Sequence, residues 1–355
     1  MNECRRVLLV RLDAIGDWIL FRNALRALRR SPHYAKSHFT ILGNPAWRGL
    51  AEAFDADLAD EWLWAERRGD LFRRGSENLL PRAIWHQRVK CAQQRLRTDL
   101  AARSFDEILS LQSCRDPLLD ELLAGLAPSL VGVRCETLDS SMYTRLLDPG
   151  SEPFAFLQAR ALVSQLAGEP CNEHLSLKTG PGMRRRDILI FTGASHWTKR
   201  WPRRRVRALV RLLLDQTDRR ILLANGTGDA PTRALANSLH TPRVEALPAM
   251  PLADFARCVA STCAVVTNDT MALHLAAATD TPVIAVVNGI SGRSGFWPYP
   301  TTIGKRVAIV GMEPKHKPMH LLPRLIASQL AKYRNLAAIQ ADDVFAKLLP
   351  LLDSP

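Results

Sequence analysis

Short apolar runs alternate with amphipathic stretches along almost the whole chain. The runs at 7–12, 39–43, 105–111, 129–133, 188–192, 221–224, 244–247, 265–267 and 283–287 are rich in Val, Ile and Leu and read as strands buried on both faces. Between them, 18–30, 45–54, 116–126, 152–167, 203–216, 232–239, 252–261 and 271–279 read as helices. In the first of these, Ile19, Ala24, Leu25 and Leu28 share one side. Strands and helices in strict alternation predict an α/β protein built on parallel, doubly wound sheets. The segment 175–187 breaks the rhythm with Gly180-Pro181-Gly182 and Arg184-Arg185-Arg186, the composition of a linker, so two domains are expected. No internal sequence repeat relates the halves.

In such sheets, ligand sites lie beyond the carboxyl ends of the strands, at the turns that open the following helices. Two turns stand out. Val265-Val266-Thr267 runs into Asn268-Asp269-Thr270, then helix 271–279, a break at Thr281-Pro282, and another strand, which is a βαβ unit. The first amides of its helix lack partners within the helix and suit a phosphate. The dipole adds only about 0.3–1 kcal/mol, so a diphosphate there needs a cation from elsewhere. Lys199, in the loop 193–202 after the first strand of the second half, is positioned to supply it. The second turn, Asp13-Ala14-Ile15-Gly16-Asp17, brings a tight-turn glycine and an acid to the carboxyl edge of the first strand. Each feature has a plainer alternative: Asp17 and Asp269-Thr270 as helix caps, Lys199 and Arg200 as exposed charges.

Composition narrows the class. At 355 residues, 47% hydrophobic and 23% charged, the chain suits a globular protein of two domains. No apolar stretch approaches the length of a membrane span, and 1–6 leads directly into a strand, so a cytoplasmic location is expected. Seven scattered cysteines without a Cys-x-x-Cys pair argue against a zinc site or disulfide framework. A net charge of +13 favours a polyanionic partner, whether nucleic acid, acidic membrane face or phosphorylated substrate. Much of that charge lies in 66–103, where Arg67, Arg68, Arg73 and Arg74 begin an arginine-rich run, with Trp62, Trp64, Phe72 and Trp85 interleaved. This is either a solvated helical face or a cationic, partly aromatic wall for a phosphorylated amphiphile.

Together the motifs resemble a known family. Arg11-Leu12-Asp13-Ala14-Ile15-Gly16-Asp17 before a helix is similar to the amino-terminal motif of the heptosyltransferases of glycosyltransferase family 9, which transfer ADP-activated heptose onto lipopolysaccharide core. Lys199-Arg200-Trp201-Pro202 resembles that family's Lys-x-Trp-Pro element. Asp269-Thr270-x-x-x-His274 resembles its donor signature, and 105–112 its internal strand. Three departures stand out: Met271 where the signature usually has Gly, Asn23 where the first helix usually has Pro, and Asn288-Gly289-Ile290 where a Gly-Pro follows the last strand.

The resemblance implies a GT-B architecture of two Rossmann-like domains facing across a cleft. An acceptor domain would span 1–178 and a nucleotide-sugar domain 187–334, with a terminal helix in 335–355 packing back on the first. It implies an inverting, metal-independent transfer needing no cofactor beyond the ADP-sugar co-substrate. Asp17 would be the general base; Lys199, Thr270 and the amides after Asp269 would neutralise departing ADP. Gly16, Ala194, Ser195, Asp269, Met271 and His274 would line the donor site, Asp229 hold ribose and Met250 approach the base. Arg67, Arg68, Arg73 and Arg74 would meet an anionic glycolipid or glycan acceptor at the cytoplasmic face of the inner membrane.

Other classes fit less well. Gly226-Thr227-Gly228 lacks the third glycine of a dinucleotide fingerprint, which ranks a dehydrogenase low. A nucleic-acid-binding protein would account for the charge, but the arginines are spread over both halves and no binding module is recognisable, so no nucleic-acid partner is expected. A relative using another nucleotide-sugar, or one that has lost turnover, completes the alternatives; Asp17 and Lys199 together argue against lost turnover.

Overall fold

The computed structural model describes residues 4–65, 82–112, 115–151, 154–180, 186–226, 230–289, 299–300, 306–311, 313 and 324–352, without the side chains of 82–89 and 324–325. The chain divides into two compact units, Met1–Glu173 and His174–Pro355. The division falls slightly before the linker expected at 175–187.

The first unit runs β1 (Arg6–Arg11), α1 (Ile15–Arg30), β2 (His38–Gly43), α2 (Arg48–Phe54), β3 (Glu61–Trp64), α3 (Arg82–Ala101), β4 (Glu107–Ser110), α4 (Pro117–Leu123), β5 (Ser129–Val133), β6 (Arg145–Leu147) and α5 (Ala155–Ala167). Its six strands are parallel, in the order β3-β2-β1-β4-β5-β6. The chain winds outward in one direction from β1 and then in the other from β4, so the β1/β4 boundary is the switch point where such sheets open a crevice. Because β1 is buried on both faces, Val7 to Val10 are fully covered.

Helix α1 is held in a fixed rotation beneath that crevice. Asp55, wholly buried, accepts from Trp18 Nε1 at 3.0 Å and from Arg22 Nε at 2.8 Å, so both lone-pair sets of a buried carboxylate are satisfied. Trp18 also stacks on Trp47 at 4.2 Å. Trp47 in turn meets the edges of Trp62 and Trp64, which stack on one another at 5.4 Å. These two tryptophans, read from sequence as part of an amphiphile-binding wall, are half-buried packing residues of an edge strand. Arg67, Arg68, Arg73 and Arg74 lie outside the described residues.

The second unit repeats the plan: β7 (Ile188–Phe191), α6 (Arg203–Gln216), β8 (Ile221–Ala224), α7 (Ala230–Asn237), β9 (Val244–Ala246), α8 (Leu252–Ser261), β10 (Ala264–Asn268), α9 (Met271–Ala278), β11 (Val283–Val286), β12 (Val307–Val310), α10 (Arg324–Ala338) and α11 (Ala341–Leu352). Its parallel order, β12-β11-β10-β7-β8-β9, puts the switch point between β7 and β10. The terminal helix corrects an expectation. Ala341, Val344, Leu348 and Leu352 on α11 are buried in the core of this second unit with Val206, Leu209, Val210 and Leu213 of α6. An apolar stripe of that width is stable only against a matching one, and α6 presents it.

Candidate functional site

At the second switch point, the loop after β7 meets the turn after β10. Asn268, the last residue of β10, is the organiser: its carboxamide donates to the carbonyls of Thr192 and Gly193 at 3.2 and 3.1 Å, and its Oδ1 accepts from the Trp201 N–H at 3.0 Å. One side chain thus satisfies three backbone groups that a loop between strands would otherwise leave unpaired. Gly193 has no substitute in this turn, because a methyl there would run into the carbonyl oxygen of Asn225. Trp201 is buried, with its indole N–H on the carbonyl of Ile339 at 3.2 Å.

So anchored, the short 3-10 turn Trp197–Lys199 delivers Lys199 to the start of α9. Its Nζ lies 2.8 Å from Asp269 Oδ2. The carboxylate is almost covered while the ammonium is 31% exposed, so the pair is fixed at one end and open to a ligand at the other. Thr270 caps α9: its Oγ1 accepts from the Ala272 N–H at 3.3 Å and sits 3.0 Å from Thr267 Oγ1. Met271 follows, half-buried, as the first helical residue. Helix α9 therefore opens toward the Lys199–Asp269 pair with its leading amides and dipole.

His274 lies one turn further into the helix, buried, with Nδ1 hydrogen-bonded to the hydroxyl of Tyr299. Burial pushes its pKa down to about 4, helped by the Lys199 cation and opposed by Asp269, so the imidazole is neutral at pH 7. Burial likewise holds the Tyr299 phenol well above its ordinary value. The neighbourhood of the ion pair is thus polar but holds no second net charge from this couple.

Ala194 and Ser195 occupy the same loop, and the Ala194 carbonyl accepts from Arg200 Nε at 3.2 Å. Met250 is half-buried in the connection from β9 to α8, and Asp229 falls outside the described residues. Tyr299, Asn268 and Asn288, whose side chain donates to the Thr198 carbonyl at 3.4 Å, also belong to this site. No sequence signal pointed to Tyr299, while Asn268 was marked only as the first residue of the turn and Asn288 only as a departure from the family pattern.

The first switch point carries Gly16 and Asp17 at the start of α1. The Asp17 carboxylate accepts from the Ala14 N–H at 3.0 Å, so it does cap the helix. It also lines a cavity of about 450 Å³ that extends past the ends of β1 and β4 to Gln112, Arg115, Arg134 and α5. Capping and a place at a ligand site coincide in one residue. Arg11 closes the floor, paired with Asp13 at 2.9 Å and lying over the Phe21 ring at 4.2 Å.

Among the described residues there is no helix long and apolar enough to cross a membrane, and no group of three or more His, Cys, Asp or Glu side chains placed to hold a metal.

The model of glycosyltransferase family 9 (heptosyltransferase) matches residues 158–320. No curated protein gives a significant match to the sequence. Among solved structures, the Escherichia coli heptosyltransferase WaaC with ADP superposes with a TM-score of 0.70 at 20% identity, covering 98% of this chain and 99% of that one. A family 9 glycosyltransferase from Veillonella parvula gives 0.71 at 18% identity, covering 99% and 98%. The E. coli ADP-heptose lps heptosyltransferase II gives 0.65 at 16% identity, covering 98% of both chains. These likenesses establish the fold, and the family match spans the loop of Lys199 and the helix of Asp269 and His274. Residues 158–320 are thus similar to glycosyltransferase family 9 (heptosyltransferase), and the whole chain has the GT-B-type α/β fold of these heptosyltransferase structures.

Proposed function

We propose that this protein transfers heptose from ADP-heptose to a hydroxyl of lipopolysaccharide core or a related glycan, with inversion and without a metal. The observation that carries the donor half is the Lys199–Asp269 pair, 2.8 Å apart at the head of α9 and inside the family-matched segment. Lys199, the Thr270 hydroxyl and the leading amides of α9 form a preorganised anion site of the kind that stabilises a departing diphosphate. Ala194 and Ser195 flank the phosphates, Asp229 holds the ribose, and Met250 borders the base. That WaaC was solved with ADP and with ADP-2-deoxy-2-fluoro heptose supports the choice of nucleotide and sugar.

In the reaction, the acceptor oxygen forms a bond to the anomeric carbon as the bond from that carbon to the diphosphate oxygen breaks. The bonding pair leaves with ADP, whose new charge is met by Lys199 and the helix amides. The acceptor proton passes to the Asp17 carboxylate, which lines the first-unit cavity, and then to water. Arg67, Arg68, Arg73 and Arg74 meet the anionic part of the acceptor, with the protein at the cytoplasmic face of the inner membrane.

A thermal-shift panel of ADP-heptose, UDP-sugars, GDP-sugars and NAD tests this reading, since a ligand that binds the folded state raises the melting temperature. ADP-heptose should give the largest shift. A larger shift with any other member would replace the donor assignment.

A further inference from the structure

The cavity at the first switch point contains two buried donors that no acceptor meets among the described residues. Gln112, in the loop after β4, is 3% exposed and lines the cavity, yet its Nε2 has no hydrogen-bond partner. Arg11 Nε, at the end of β1 in the same cavity, has none either. Buried N–H groups are rarely left this way, because each has given up water without a replacement. Two of them on neighbouring strand ends, at the switch point of a parallel sheet, mark a place where a ligand supplies the acceptors.

The charges around them say which kind of ligand. Arg11 is matched by Asp13 at 2.9 Å. Arg115 is matched by Asp120 at 2.7 Å, and that guanidinium is further held by Ser140 Oγ at 2.8 Å and lies over the Tyr143 ring at 4.4 Å. Asp120 in turn accepts from the Tyr143 hydroxyl at 2.5 Å. Each floor guanidinium therefore faces the cavity with its charge already cancelled by a carboxylate. What remains is one exposed cation, Arg134, offset in sign by the carboxylate of Asp17, together with directional N–H groups, the carboxamide of Gln112 and the apolar walls of Phe21 and Leu162. A volume of about 450 Å³ admits one or two sugar rings. A carboxamide that can turn to present N–H or C=O suits a hydroxyl, which both donates and accepts.

We infer that this cavity binds an uncharged, hydroxylated ring of the acceptor, and that Gln112 is the residue that reads it, holding the ring that carries the attacking hydroxyl beside Asp17. The inference rests on the glycosyltransfer reading above, and it separates two tasks: recognition of the reacting ring by neutral hydrogen bonds here, and of any anionic group elsewhere.

The test uses the full chain, its Gln112→Met variant of similar size, and neutral probes, methyl α-D-glucopyranoside and methyl α-D-mannopyranoside, with the corresponding uronates as charged counterparts. Affinities are titrated by saturation-transfer NMR. At least one neutral glycoside should bind the wild type no more weakly than its uronate, and Gln112→Met should lose about tenfold or more in that affinity. The unliganded variant should melt higher than wild type, because an unpaired buried amide has been replaced by an apolar group. A lower melting temperature would make Gln112 a structural residue and overturn the inference, as would unchanged glycoside affinity, absence of neutral-glycoside binding to the wild type, or a uronate bound tenfold more tightly. ADP calorimetry on both proteins should give equal affinities. If neither binds ADP, the donor assignment falls, while the glycoside measurement still decides the role of Gln112.

Discussion

The two units share one strand order and place polar residues at the same topological point, yet the chemistry at the two points is opposite in kind. The first offers a carboxylate that caps its own helix, arginines whose charge is spent on neighbouring acids, and donors awaiting a partner. The second offers an ammonium with one exposed flank, a capped helix start and a histidine that burial keeps neutral. The scaffold fixes where a ligand goes. The loops after the strands decide whether it is met by neutral hydrogen bonds or by positive charge, the division expected when one substrate is a glycan and the other a nucleoside diphosphate.

This contrast can be broken from either side. The largest effect is expected at Asp17. Asp17→Asn should lower transfer by about 10²–10⁴-fold in kcat while ADP affinity stays unchanged, as loss of a general base would do. Single-turnover assays paired with calorimetry check this, and wild-type rates would remove Asp17 from the chemistry.

Next is Asn268→Ala, which strips three hydrogen bonds from the second unit's loop. It should cost about 2–4 kcal/mol in urea unfolding and weaken ADP binding with it. Loss of less than about 1 kcal/mol would show that the loop does not depend on its organiser. Lys199→Ala should weaken ADP binding by about tenfold, a modest figure because the ammonium is partly exposed and screened. Equal ADP affinity in calorimetry would leave Lys199 as the partner of Asp269 and nothing more.

A further test concerns pH. His274 titrates near 4 in the folded chain against 6.5 when exposed, so its contribution to stability is fully present above 6.5 and is lost as pH falls toward 4. Across that window, wild type should lose up to about 1.4 kcal/mol per pH unit more than His274→Gln. Urea titrations at pH 6.5, 5.5 and 4.5 would settle it, and parallel slopes would mean that the imidazole is hydrated.

The sequence revealed most of this architecture wherever a strand is buried on both faces. Central runs such as Val7 to Val10 and Ile188 to Phe191 contain little but branched apolar residues, and were legible for that reason. Strands β3, β6 and β12 were missed. All three lie at or near a sheet edge, where one flank lacks a neighbour, and their residues are mostly half-exposed, so no unbroken apolar run marks them. Helix α10 escaped in part because its amphipathic pattern is diluted by polar residues; only its end was anticipated.

The candidate site was legible where a motif concentrated it, at Asp17, Lys199 and Asp269 to His274. It was not legible where a partner comes from far along the chain. Tyr299 reaches His274 across 25 positions and Trp201 reaches Ile339 across 138, separations that no local pattern records. Gln112 lay in plain view within the internal strand motif, but an unpaired donor is a property of surroundings, and only coordinates supply those.

The bond from Trp201 to Ile339 also bears on how the chain is divisible. The family-matched stretch ends at residue 320, before Ile339 and before the helix whose Val344 and Leu348 complete the second core. A fragment trimmed to the recognisable stretch would leave the lysine loop without its clasp and α6 without a covering helix. Evolutionary signature and autonomous folding unit are different objects in this protein, and the loop that carries Lys199 belongs to the larger one.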